Sequence, residues 1–176
     1  MRNVFYLVLL GVALLTAALI TRSGILARKD PGRPINKAMR EALNAERPQF
    51  STDDAMLIAK TYGNAHKTPS GLQYVVRALG TGEATPQLGD EVICHYDGRF
   101  LDGTSFDSSY KRGAPFVFRV GTGSVIRGWD EAFVTMHKGE KRTLIIPYWL
   151  AYGEKGRPPV PPKATLIFEV ELIDWR

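Results

Sequence analysis

The sequence predicts an α+β fold in which a curved antiparallel sheet wraps over one short helix. Three observations carry this expectation. After residue 72, apolar and polar residues alternate at period two in several segments, the pattern of half-buried strands. Clusters of turn-forming residues separate those segments. A single helical stripe, Trp129, Ala132, Phe133 and Met136, falls at i, i+3, i+4 and i+7, which suits one helix laid on one sheet face.

Taken in order, LQYVVRAL opens the strand-rich part at Leu72, and the turn residues GTGEATPQLGD follow it. DEVICHYDGRF sets Val92, Cys94 and Tyr96 on one side. PFVFRV does the same with Phe116, Phe118 and Val120. KRTLIIP contributes Leu144 and Ile146, and TLIFEVELIDW aligns Leu166, Phe168, Val170 and Leu172. Strands of this kind imply an antiparallel sheet with one covered face.

The chain ahead of the sheet divides in two. Residues 1–22 hold VFYLVLLGVALLTAALI, an uncharged apolar run from Val4 to Ile20 between Arg2 and Arg22. Its length lies between a signal-peptide core and a short transmembrane helix. No clear small-x-small cleavage site follows it, so an uncleaved N-terminal membrane helix is favoured over a removed signal peptide. The absence of a cysteine nearby excludes a lipoprotein. Residues 23–67 form a basic linker and two short helices. Gly24, Pro31, Gly32 and Pro34 mark the linker. Ile35, Ala38, Met39, Ala42 and Leu43 recur at helical spacing, and Pro48 ends that segment. Ser51 can cap the second helix, with Asp53 and Asp54 in its first turn and Gly63 after its end. These two helices serve as a stalk, a packing addition or a dimer contact, and the oligomeric state stays open. So does topology. Export of the domain behind the span places it in the periplasm, anchored or, after cleavage, free. Arg28, Lys29, Arg33, Lys37 and Arg40 on the far side of the span favour a cytoplasm-facing domain.

Composition and motifs exclude several classes of chemistry. The chain has 176 residues and a net charge of +5, but its basic residues are scattered, so no nucleic-acid stripe is expected. The lone cysteine, Cys94, lies in the apolar run VICHY and reads as a small buried hydrophobe, not a nucleophile. His66, His95 and His137 lack paired ligand spacing, so no metal is expected. GTGSVIRG at 121–128 imitates a dinucleotide fingerprint, but Ile126 takes the place of its third glycine and no βαβ unit surrounds it. No G-x-S-x-G elbow occurs, and no cofactor is implied. What remains is a concentration of aromatics near turns, with Asp107 directly after Phe106. Tyr152 stands before the Gly/Pro-rich loop GEKGRPPVPP. An apolar hollow with a few fixed polar groups is the usual form of a small-ligand site.

These segments form a recognisable set. VICHYDGRFLDGTSFDSS, PFVFRVGTGSVIRGWDEAF, LAYG and PPKATLIFEVEL, in that order, resemble the FK506-binding-protein family of peptidyl-prolyl cis-trans isomerases. PSGLQYVVRALGTG is similar to the first strand of the bacterial Mip/FkpA-like branch. The resemblance covers about residues 68–176, taken as the isomerase domain. It implies an antiparallel half β-barrel around one short helix and a hydrophobic pocket for an X-Pro segment. By this resemblance Trp129 is the pocket floor, with Tyr96, Phe106, Phe116, Val125, Ile126 and Phe168 as walls. The N–H of Ile126 and the hydroxyl of Tyr152 each hold a substrate carbonyl. Asp107 faces the carbonyl of the rotating bond and fixes Tyr96, and Arg112 pairs near that aspartate. Implied partners are Pro-containing unfolded or exported polypeptides and FK506- or rapamycin-like macrolides. Ser124, Arg157 and Pro159 depart from the usual family residues, and YWL at 148–150 is more aromatic than usual. These departures leave room for a chaperone or Pro-segment binding module with little turnover.

Overall fold

Among the described residues every strand pairing is antiparallel, as short connections between neighbouring strands allow. The structure is a computed structural model that describes residues 48–176, a compact unit of its own. The apolar run 4–20, the basic linker and the helical segment at 35–47 lie outside the described residues. Among those described, no helix is long and apolar enough to cross a membrane.

The elements run α1 (Thr52–Thr61), β1 (His66–Lys67), β2 (Gln73–Ala78), β3 (Glu91–Phe100), β4 (Ser105–Ser108), α2 (Ser109–Arg112), β5 (Phe116–Arg119), α3 (Arg127–Phe133), β6 (Lys141–Ile146) and β7 (Leu166–Trp175). A 3-10 turn occupies Tyr148–Leu150. Sheet order is β1-β2-β6-β7-β3-β4, with β5 also paired to β3. The ten-residue β3 is the hub. Its first half pairs with β5, its second half with β4, and its whole length with β7.

The period-two reading of β3 holds: Val92, Cys94 and Tyr96 are buried between more exposed neighbours. They join Phe118, Val120, Leu144, Ile146, Leu166, Phe168, Val170 and Leu172 in one core. The stripe on α3 closes that core, with Trp129, Ala132, Phe133 and Met136 all buried. The helix itself stops at Phe133. Two i→i−3 bonds, Thr135 N to Ala132 O and Met136 N to Phe133 O, tighten the exit and still deliver Met136 to the core.

Two expectations need correction. The sheet has apolar cover on both faces, not one. Ile145 and Ile167, paired across β6 and β7, are buried with Ile58 of α1 in a second cluster, joined by Phe50, Tyr62, Ala65 and Leu101. Ser51 caps α1 as expected, its hydroxyl accepting from Asp54 N at 3.1 Å. Asp54 in turn accepts from the Thr165 hydroxyl at 2.5 Å, which ties the helix to the start of β7. Alternation could not show this, because a residue on the back of a strand looks the same whether a helix or water covers it. The single expected helix also has company: α2 is one turn long, too short to write a periodic stripe.

Candidate active site

The site grows from the turn before α3. Ile126 is extended, with φ −64° and ψ 146°, and its carbonyl accepts from Trp129 N at 2.9 Å to begin the helix. Its own N–H meets no acceptor among the described residues. Gly128 follows. It lies inside the helix, and closeness is what requires it. A Cβ there would stand 2.6 Å from Ile146 Cγ2, so only glycine lets α3 lie against β6. That approach sinks the Trp129 indole into the sheet, 4% exposed.

Around the indole stand Tyr96, Phe168, Phe116 and Phe118 at ring-centre distances of 4.9, 5.2, 5.9 and 5.6 Å, mostly edge to face. Aromatic quadrupoles favour this geometry over flat stacking. Phe118 and Phe133 hold the indole from behind. Phe106 reaches Phe168 at 5.6 Å across Gly98, where a Cβ would come within 2.8 Å of Phe168 and 2.9 Å of Phe106.

Over this floor opens a cavity of about 790 Å³, lined by Tyr96, Phe106, Asp107, Phe116, Val125, Ile126, Trp129, Tyr152 and Phe168. Nine of the ten residues singled out in the sequence therefore meet in one place. The tenth, Arg112, does not line the cavity; it stands behind Asp107 and Tyr96 and bonds both. Gly123, Ser124, Arg127, Ala151, Arg157, Pro158, Pro159 and Val160 complete the wall. Only the Gly/Pro-rich composition of the 153–162 loop and the departures at Ser124, Arg157 and Pro159 signalled these in advance. Phe118 and Phe133 are legible in the sequence as inward-facing core residues, whereas the supporting role of Gly98 carries no signal of its own.

The polar groups converge on one carboxylate. Tyr96 Oη donates to Asp107 Oδ2 at 2.5 Å, and Ser108 N donates to Asp107 Oδ1 at 2.8 Å. Arg112 forms an ion pair with Oδ1 and donates to Tyr96 Oη at 2.7 Å. Burial, reinforced by the bond to Asp107, pushes the Tyr96 phenol up to about 12, so at neutral pH it is a donor. Burial also raises Tyr152, with Arg157 opposing the rise. Its hydroxyl has no partner among the described residues. Ile126 N–H and Tyr152 O–H are thus unpartnered donors above an apolar floor, and the Trp129 indole N–H is buried without a partner among the described residues. Two other groups play no part. Cys94 is fully buried and its thiol is pushed up to about 12 by that burial, which denies it nucleophilic chemistry. Trp149, in the aromatic run YWL, is half-buried: its indole donates to Ser70 O at 2.8 Å and packs on Phe50 at 5.4 Å.

Human "Peptidyl-prolyl cis-trans isomerase FKBP2" is 56% identical over 86 residues, which are 48% of this chain and 61% of that protein. "FK506-binding protein 2" of Debaryomyces hansenii is 55% identical over 86 residues, covering 49% and 64%. The chain thus spans less than two thirds of the length of these relatives. Arabidopsis thaliana "Peptidyl-prolyl cis-trans isomerase FKBP15-2" is 44% identical over 125 residues, covering 70% of this chain and 75% of that one. The crystal structure of AtFKBP13 superposes with a TM-score of 0.60 at 38% identity, covering 64% of this chain and 98% of that one. These relatives are yeast, human and plant proteins, so the likeness holds for the domain and does not single out the bacterial Mip/FkpA-like branch. Residues 82–173 match the FKBP-type peptidyl-prolyl cis-trans isomerase family, and the chain belongs to that family.

Proposed function

We propose that the chain is a peptidyl-prolyl cis-trans isomerase that turns X-Pro bonds without covalent chemistry. The observation that carries this reading is the aromatic-floored cavity with the unpartnered Ile126 N–H and Tyr152 O–H at its wall. A prolyl amide rotates over a barrier of ~18–20 kcal/mol because the twisted state loses resonance. A site accelerates rotation when it holds the twisted amide better than either planar form. In this reading the proline ring rests on Trp129 between Tyr96, Phe116 and Phe168. Ile126 N–H and Tyr152 O–H hold the flanking carbonyls, so one side of the bond is fixed while the other turns. Asp107, oriented by Tyr96 and Arg112, faces the carbonyl of the rotating bond. The low polarity of the floor suits a twisted amide, which is less dipolar than a planar one. A thousandfold acceleration needs only ~4 kcal/mol of differential binding. FK506-like macrolides are expected to fill the same cavity.

The substrates we infer are Pro-containing segments of unfolded, exported polypeptides. The support is the uncharged run Val4–Ile20, which would carry the domain to or across a membrane and leave it outside the cytoplasm. A fused reporter active only outside the cytoplasm should read positive, and a silent one overturns this placement. For the activity itself, the decisive test is isomerisation of a short Leu-Pro peptide by the full chain, beside Asp107→Ala. A fast parent with a slow, folded variant supports the reading. A folded parent without acceleration makes the cavity a binding site, and the protein a chaperone or scaffold.

A further inference from the structure

We propose that two guanidinium groups at the cavity wall, Arg127 and Arg157, make this site select segments carrying a carboxylate beside the proline. The inference rests on the isomerase reading above and names its substrate class. Three charged residues line the cavity: Asp107, Arg127 and Arg157. Asp107 is already matched, since Arg112 forms an ion pair with it and Tyr96 and Ser108 N occupy its oxygens. Arg127 and Arg157 have no ion pair or side-chain hydrogen bond among the described residues. The acids nearest in the chain are engaged elsewhere. Asp130 accepts from Gly121 N at 2.7 Å and Gly123 N at 3.1 Å, Glu131 accepts from the Ser70 hydroxyl at 2.9 Å, and Glu154 lies 3.7 Å from Lys163. The wall therefore presents two guanidinium groups without a carboxylate partner among the described residues.

Their placement matches where a flanking side chain would emerge. Arg127 directly follows Ile126, whose N–H is free to hold one substrate carbonyl. Arg157 sits on a pinned turn: its N–H donates to Val160 O at 2.9 Å, Val160 N donates back to Arg157 O at 2.6 Å, and Val160 is anchored in the core. Arg157 lines the same cavity as Tyr152, whose hydroxyl is free to hold the other carbonyl. Both arginines thus share one cavity wall with the two groups that would hold the peptide. An acidic side chain next to the proline gains attraction there, and a lysine meets repulsion. Exposed pairs of this kind change affinity by roughly two- to fivefold each, so Glu-Pro and Lys-Pro should separate by on the order of tenfold.

The test uses the full chain with the peptides Ala-Glu-Pro-Phe, Ala-Leu-Pro-Phe and Ala-Lys-Pro-Phe. Exchange rates and dissociation constants are read by NMR at about 20 mM and about 500 mM salt, which brackets weak and strong screening. The same series is run on Arg127→Gln, Arg157→Gln and the double variant. Glu-Pro should exceed Lys-Pro about tenfold at low salt, and the ratio should shrink with salt and fall toward one in the double variant. A ratio near one at low salt, or an unchanged ratio in the double variant, overturns the proposal. Absence of acceleration for all three peptides overturns the isomerase reading instead. The ratio of dissociation constants then decides the charge preference on its own.

Discussion

Tyr96 shows how one side chain serves both core and site. Its ring is buried against Trp129, while its hydroxyl reaches the Asp107 carboxylate at 2.5 Å. Tyr96→Phe keeps the ring and removes the donor. Its stability cost should be about 1–2 kcal/mol by urea unfolding, because a hydrogen bond to a charged group is lost. Asp107 and Arg112 are each 45% exposed in their side chains, so their pair adds little to stability. Asp107→Ala removes that weak pair together with the Tyr96 hydrogen bond, so it should cost about 1–2 kcal/mol while lowering kcat/KM by about tenfold or more. Equal losses in both would mean that Asp107 acts only through folding. Trp129→Leu is the opposite case. It empties the floor of the cavity and the centre of the core together, and should cost about 3 kcal/mol along with activity.

At the scale of elements, two packing contacts set the cavity and a third stays away from it. α3 approaches β6 through Gly128, and the Phe106 and Phe168 rings meet over Gly98. Gly98→Ala should push those rings apart, cost about 1–3 kcal/mol as an overpacked core site, and raise KM more than it lowers kcat. On the other face, Ile58 of α1 covers Ile145 and Ile167. Ile58→Ala should cost about 2 kcal/mol and leave activity per folded molecule unchanged, as it touches no cavity residue. A loss of activity in the folded variant would show that α1 does more than cover the sheet. The exit of α3 is held separately. Arg142 and Glu140 form a buried ion pair, and Arg142 also donates to the hydroxyl and carbonyl of Thr135 at 2.7 Å each.

At the scale of the molecule, the buried thiol and phenol make stability depend on alkaline pH. Burial lifts Cys94 from 9.0 to about 12, and burial with the Asp107 bond lifts Tyr96 from 10.0 to about 12. A raised folded value means that the folded chain keeps its proton where the unfolded chain has lost it. The associated stability is fully present below pH 9 and is lost as pH rises from about 9 toward 12. The loss is about 1.4 kcal/mol per pH unit for each group between its two values. The urea midpoint should be level from pH 7 to 8.5 and then fall, with Cys94→Ala delaying the onset toward pH 10. An onset that does not move with Cys94→Ala would assign the alkaline loss to other groups.

Much of this was legible in the residues themselves. Alternation at Val92, Cys94 and Tyr96 and the stripe from Trp129 to Met136 mark the covered sheet face and the helix that covers it, because burial imposes the period of each element on its apolar residues. The lining was named by the family resemblance of local motifs; alternation and the helical stripe by themselves point inward only Tyr96, Phe116, Phe168 and Trp129 of it. Three things needed the tertiary structure. The place of α1 on the back of the sheet depends on which surface the chain returns to, and no local pattern records that. The roles of Gly98 and Gly128 depend on what stands opposite a missing Cβ, namely Phe106, Phe168 and Ile146, which are remote in sequence. The unmatched charge of Arg127 and Arg157 depends on which partners every nearby acid has taken. Periodicity reports how a residue faces its own element; close approach and charge balance are properties of pairs, and only the folded chain brings the pairs together.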